Sequence, residues 1–129
     1  VFLEQLETDP ARFLPETTDE HLDDGVVAVD LTRPMAEVRA ELGPGPVYLS
    51  FDIDGLDPAY APGTGTPEIG GLTTIQGIEI IRGCRGLDLV GGDLIEVAPA
   101  YDASGNTALT AANLLFEMLC VLPGVQYRS

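Results

Sequence analysis

Histidine is nearly absent from this chain; His21 is the only one. A lone imidazole cannot supply paired His ligands or a histidine-rich metal site from within these residues. Basic residues are also scarce, with six Lys and Arg against 21 Asp and Glu, for a net charge of −15. That balance argues against nucleic acid as a partner, because neutralising phosphates takes clustered Lys and Arg. Acidity of this degree reads first as an aid to solubility, and it is compatible with steering cations or a cationic substrate. No apolar run reaches the ~18 residues of a membrane span, so none is expected. The acidic start VFLEQLETDP lacks the basic region of a secretory signal. Cys84 and Cys120 stand alone within apolar helical patterns and read as buried, reduced thiols of a cytoplasmic protein. Neither has the His pattern that would point to catalysis.

Against these absences, 129 residues with 45% apolar content leave room for one domain with a modest core. Residues 1–30 read as a divergent, acidic, poorly ordered arm, with a short helix expected near Phe2 to Leu6 and a strand at VVAVDL after Gly25. Pro34 suits a first helical turn. The helix runs through MAEVRAEL, with Met35, Val38 and Leu42 on one stripe, and Gly43-Pro44-Gly45-Pro46 stops it. A strand follows at Val47 to Asp52, then a long loop to Leu72. Thr73 and Gln76 match a capping box ahead of a helix from Thr74 to Arg82. Leu87 to Val97 reads as a buried strand whose Gly91-Gly92 pair implies close backbone approach. The last helix spans Asn106 to Leu122. Alternating strands and helices predict an α/β domain, a parallel sheet flanked by helices.

The stretch VYLSFDIDGLDPAYAPGTGTPEIGG carries the chemical signal. In an extended strand, Asp52 and Asp54 project to one face and Ile53 to the other. Two neighbouring acids repel unless a cation lies between them or water bathes both. The pair also stands at a strand's carboxyl end, where open α/β sheets bind ligands. Three prolines and two glycines between Asp57 and Glu68 give the loop a rigid composition, typical of a functional loop. Asp57 is expected to organise it through backbone hydrogen bonds. Glu96 ends the second strand and, in a parallel pair, belongs at the same sheet edge as Asp52. Three carboxylates there suit divalent cations and a cationic substrate. Tyr60 and Tyr101 are candidates for a pocket mouth, while Asp93 and Asp102 are assigned no role.

SFDIDGLDP, PGTGTPE, IEVAPAYD and SGNTALTAANLLFEML closely resemble the signature of the ureohydrolase family, which includes arginase and agmatinase, with agmatinase the nearest in wording. The resemblance runs from about Pro34 to Val125, within a ureohydrolase-like region over 31–129, and covers a carboxyl-terminal portion only. It implies a three-layer αβα sandwich, incomplete here, and a two-manganese (Mn2+) centre. Asp52 would bridge the ions and Asp54 would bind one of them. Glu96 would hold the substrate's guanidinium group and Thr66 would line its pocket. The implied reaction hydrolyses a small cationic guanidino compound to urea and an amine, agmatine to putrescine above all, then guanidinobutyrate or arginine. The family's further ligands come from a Gly-Gly-Asp-His segment and an Asp-x-His-x-Asp segment upstream. Asp19-Glu20-His21-Leu22-Asp23 spells the second pattern, but it lacks the preceding buried strand, so His21 reads as a solvated loop residue. Two expectations follow: an agmatinase-like hydrolase that needs a missing segment or a homo-oligomer, or an inactive relative serving in binding or assembly.

Overall fold

The computed structural model of the chain describes residues 2–5, 26–28 and 35–126. The PETTDEHLDD stretch, His21 included, lies outside the described residues. A four-stranded sheet is built from β1 (Phe2–Gln5), β2 (Val26–Ala28), β3 (Pro46–Asp52) and β4 (Asp88–Ile95). The spatial order is β2-β1-β3-β4. The expected parallel pairing holds for β3 and β4, with Asp52 opposite Ile95 at the carboxyl ends. β1 runs antiparallel to both β2 and β3.

Phe2 to Leu6 was the expected place of a short helix, and the structure corrects this to strand β1. The reason is backbone satisfaction. An isolated single-turn helix leaves most of its N–H and C=O groups without partners, whereas β1 sits between two strands that pair with it.

Three helices complete the described fold: α1 (Met35–Leu42), α2 (Thr74–Gly83) and α3 (Asn106–Val121). Val38 and Leu42 of α1 are buried, with Met35 packed against the core, as the apolar stripe predicted. Arg39 on α1 closes the end of α2, donating from Nη1 to the carbonyls of Gly83 (3.1 Å) and Arg85 (2.7 Å). At the start of α2 the capping box forms. Thr73 Oγ1 accepts from the Gln76 N–H (3.3 Å), and Gln76 Oε1 accepts from the Thr73 N–H (2.8 Å). Arg82 and Glu117 link α2 to α3 through two charge-assisted hydrogen bonds of 2.8 and 2.6 Å.

The core sits between β3 and the helices. Val47, Leu49 and Phe51 alternate along β3 and are fully buried, and each side chain of that kind contributes roughly 1.5–3 kcal/mol by leaving water. Two glycines allow the layers to close. A Cβ on Gly77 of α2 would lie 3.2 Å from the Phe51 ring. One on Gly92 would lie 2.7 Å from the Leu49 carbonyl oxygen and 2.8 Å from Met118 Cε, so the glycine pair marks close approach, as its position in the strand suggested. Cys84 is buried and Cys120 half-buried, both as free thiols. Burial pushes the Cys84 thiol up to about 12, which removes it from thiolate chemistry near neutrality. Among the described residues, no helix is long and apolar enough to cross a membrane.

Candidate active site

β3 delivers Asp52 to the sheet's carboxyl edge, and there the chain leaves the strand. Ile53–Gly55 form a single 3-10 turn. Asp52 is its N-cap, with Oδ1 accepting from the Asp54 N–H at 2.9 Å. Strand alternation therefore does not bring the two acids together, since Asp54 lies on the turn. Ile53 is buried, as expected. The same edge carries Glu96, one residue past Ile95, the register partner of Asp52.

Asp54 receives a partner from twelve residues further along: the Thr66 hydroxyl donates to Asp54 Oδ2. The other oxygen, Asp54 Oδ1, is buried and has no hydrogen-bond partner. An unpartnered buried carboxylate oxygen is costly unless something positive is to meet it. Asp52 is half-buried, and its carboxyl is held above the usual range mainly by burial. The adjacent Asp54 charge raises it further, while the hydrogen bond from the Asp54 N–H opposes the shift. Half-buried neighbouring acids with a vacant acceptor have the donor chemistry of a hard or borderline cation site. Among the described residues, however, no group of three or more His, Cys, Asp or Glu side chains converges on one point. These residues fit one side of a cation site.

The loop between the turn and α2 is heavily tied. Asp57 Oδ1 accepts from the Ala59 N–H (2.9 Å) and Oδ2 from the Gly70 N–H (2.8 Å), which hold its carboxyl below the usual range. Its backbone donates to Leu72, whose own N–H returns to Gly55 at 2.8 Å. Asp57 thus organises the loop through backbone bonds, the role its sequence position suggested.

Glu96 is exposed, with φ of +65°. Among described non-glycine residues it alone adopts a positive φ. The left-handed conformation costs a non-glycine residue roughly 1–2 kcal/mol, and such strain gathers at functional positions. Tyr60 and Tyr101 both lie at the surface. Asp93 accepts from the Tyr48 hydroxyl through Oδ2 at 3.2 Å, and its Oδ1 is buried without a partner.

Asp102, assigned no role from the sequence, and Thr107, which carries no sequence signal of its own, meet at the start of α3. Both are buried. Asp102 caps α3, with Oδ1 accepting from the Thr107 N–H (3.2 Å) and Oδ2 from the Ala108 N–H (2.9 Å). Thr107 Oγ1 accepts from the Gly63 N–H at 2.8 Å. The usable signal was an acid followed by Ser104-Gly105 ahead of a helix, a capping pattern with the cap set several residues back.

A helix-flanked sheet with acids at the carboxyl edge, beside a Gly/Pro-rich loop, defines an α/β domain with an acidic sheet edge. The sequence profile described as "Arginase family" matches residues 18–120. A guanidinobutyrase from Pseudomonas aeruginosa is 77% identical over 94 residues, which cover 73% of this chain and 30% of that protein. A mitochondrial agmatinase from Gallus gallus is 77% identical over 92 residues, 71% of this chain and 27% of that one. The crystal structure of a hypothetical agmatinase from Burkholderia thailandensis superposes with a TM-score of 0.64 at 50% identity, covering 67% of this chain and 27% of that one. The chain belongs to the arginase family. It spans less than a third of the length of these relatives.

Proposed function

We propose that this chain carries the guanidinium-binding side and two metal ligands of a ureohydrolase acting on a small cationic guanidino compound, agmatine first, with guanidinobutyrate and arginine as alternatives. Relatives named agmatinase and guanidinobutyrase, at 77% identity over the matched residues, support the substrate class. The observation that carries the reading is the buried, unpartnered Asp54 Oδ1 beside half-buried Asp52 at the sheet edge.

Asp52 and Asp54 would hold manganese. When bound, the metal supplies Lewis-acid activation of water for attack on the guanidino carbon. The chain's own residues do the remaining positioning. The Thr66 hydroxyl occupies Asp54 Oδ2 and leaves Oδ1 for the cation. Glu96 is exposed at the same edge and would pair with the substrate's planar cation through two parallel N–H to O bonds. Its charge would also compensate the guanidinium while that group is held for attack.

A second reading has its own support. Two acids do not complete a two-metal site, no larger ligand group converges among the described residues, and the chain spans under a third of its relatives. These facts favour weak metal binding without turnover by this chain alone, which then needs a further segment or a second copy. Leu109, Phe116 and Leu119 of α3, all well exposed, support dependence on a covering partner.

Metal analysis and a urea-release assay on the full chain, with agmatine, guanidinobutyrate and arginine, separate the readings. Manganese binding lost in Asp54→Asn is the expected result. Urea release by the chain alone would overturn the inactive reading. An unchanged manganese affinity in Asp54→Asn would overturn the metal assignment.

A further inference from the structure

Two segments of the candidate site arrive from different parts of the chain. The first, from Asp57 to Gly71, brings Thr66 to Asp54. The second, after β4, carries Glu96. They meet at Gly63. Its carbonyl accepts from the Ala98 N–H at 2.8 Å, and its N–H donates to Thr107 Oγ1 at 2.8 Å. Thr107 is fully buried, and its own N–H is held by Asp102. A Cβ on Gly63 would lie 2.5 Å from Asp102 Cβ and 2.9 Å from Thr107 Oγ1, so the contact leaves no slack.

We propose that Thr107 is a positioning residue: it fixes Gly63 to the start of α3, and Gly63 in turn holds the segment after Glu96 through Ala98, so that the distance between the Asp54–Thr66 pair and Glu96 is set. Gly63 lies three residues before Thr66, and Ala98 two residues after Glu96. The junction therefore ties the side that would hold metal to the side that would hold the guanidinium. Thr107 needs no contact with ligand to do this. A guanidinium is a rigid plane, and its bonds to a carboxylate weaken steeply when the carboxylate is displaced or rotated. The left-handed Glu96 backbone falls within reach of this lock, which helps to hold a conformation that the residue alone disfavours. The ligand part of this inference rests on the guanidino-hydrolase reading; the coupling of the two segments does not.

The test compares the full chain as wild type, Thr107→Val and Thr107→Ser by amide hydrogen exchange and by agmatine titration followed through the Glu96 amide resonance. Valine keeps the volume and removes the acceptor. In Thr107→Val the Gly63 and Ala98 amides are expected to exchange roughly five- to tenfold faster, the scale of one lost hydrogen bond. Amides of α1 keep their rates, agmatine binding weakens, and Thr107→Ser restores all three measures. Faster exchange at Gly63 alone, with Ala98 and Glu96 unmoved, would overturn the proposal. So would a uniform acceleration that includes α1, since that is global destabilisation. Where Thr107→Val does not fold, Asp102→Asn loosens the same junction from its other side and is read by the same criteria. Agmatine that shifts no resonance in the wild type refutes the guanidino reading, and the exchange rates still decide the coupling.

Discussion

Replacing Gly63 by Ala puts a methyl group where Asp102 Cβ stands 2.5 Å away, Thr107 Oγ1 2.9 Å and Asp102 Cα 3.0 Å. Carbon–carbon contacts are comfortable near 3.5–4.0 Å, so the methyl overlaps its neighbours by about 1 Å. The neighbours cannot yield easily. Asp102 is held by two α3 amides, and Thr107 is fully buried on the helix's first turn. The segment must shift instead. Overpacking of this kind costs about 1–3 kcal/mol. Stretching the bonds from Gly63 to Thr107 and from Ala98 to Gly63 adds roughly 1 kcal/mol each. Reduced freedom of the unfolded chain returns about 0.4–1 kcal/mol. The net loss is about 2–5 kcal/mol. At roughly 3–5 °C per kcal/mol for this chain length, Tm falls by about 6–25 °C. Gly65→Ala is the matched control, because nothing lies within 4 Å of its added Cβ and neither glycine has a positive φ. Thermal unfolding of both variants checks the argument. A Gly63→Ala midpoint equal to that of Gly65→Ala would refute the close packing on which the proposed lock depends.

Glu96→Gly removes a side chain from a left-handed backbone, so stability is expected to rise by about 1 kcal/mol while agmatine binding is lost. Denaturant unfolding and calorimetric titration of the same sample report the two effects, and a destabilised variant would contradict the strain. Thr73→Ala deletes one half of the capping box and is expected to cost about 1 kcal/mol, read as a lower urea midpoint at unchanged slope. Glu117 is held below the usual carboxylate range by its hydrogen bond with Arg82, and Asp102 by the Ala108 and Thr107 amides. Depressed acids stabilise the fold above their ordinary values, and that contribution is lost as pH falls through the folded values. Tm followed from about pH 6 down to about pH 3 should therefore fall, and less steeply in Glu117→Gln. An identical slope in that variant would remove the Arg82 pair from the account.

Period and punctuation made most elements legible. The apolar stripe of α1, the Thr73–Gln76 box and the Gly91-Gly92 pair are local patterns, and each element formed about where its pattern lay. The Asp52-Ile53-Asp54 motif was legible as a pair of acids at a strand end but not as geometry. Strand alternation predicted two side chains on one face, and the chain instead turns at Ile53, capped by Asp52 itself. β1 was misread because four residues carry too little periodicity to separate helix from strand, and its state depends on neighbours distant in sequence.

What the sequence determined alone was residue type and family: acids at a strand end, a rigid loop, a family signature and a shortage of histidine. Those are statements about residue type and local order, which short-range sterics and hydrogen bonding largely settle. Tertiary structure decided which groups meet. Thr66 reaches Asp54, Thr107 reaches Gly63 across 44 positions, and Asp54 Oδ1 is left without a partner. Such pairings depend on how the sheet, the loop and α3 pack together, and no local pattern encodes the distance between segments that only the core brings into contact.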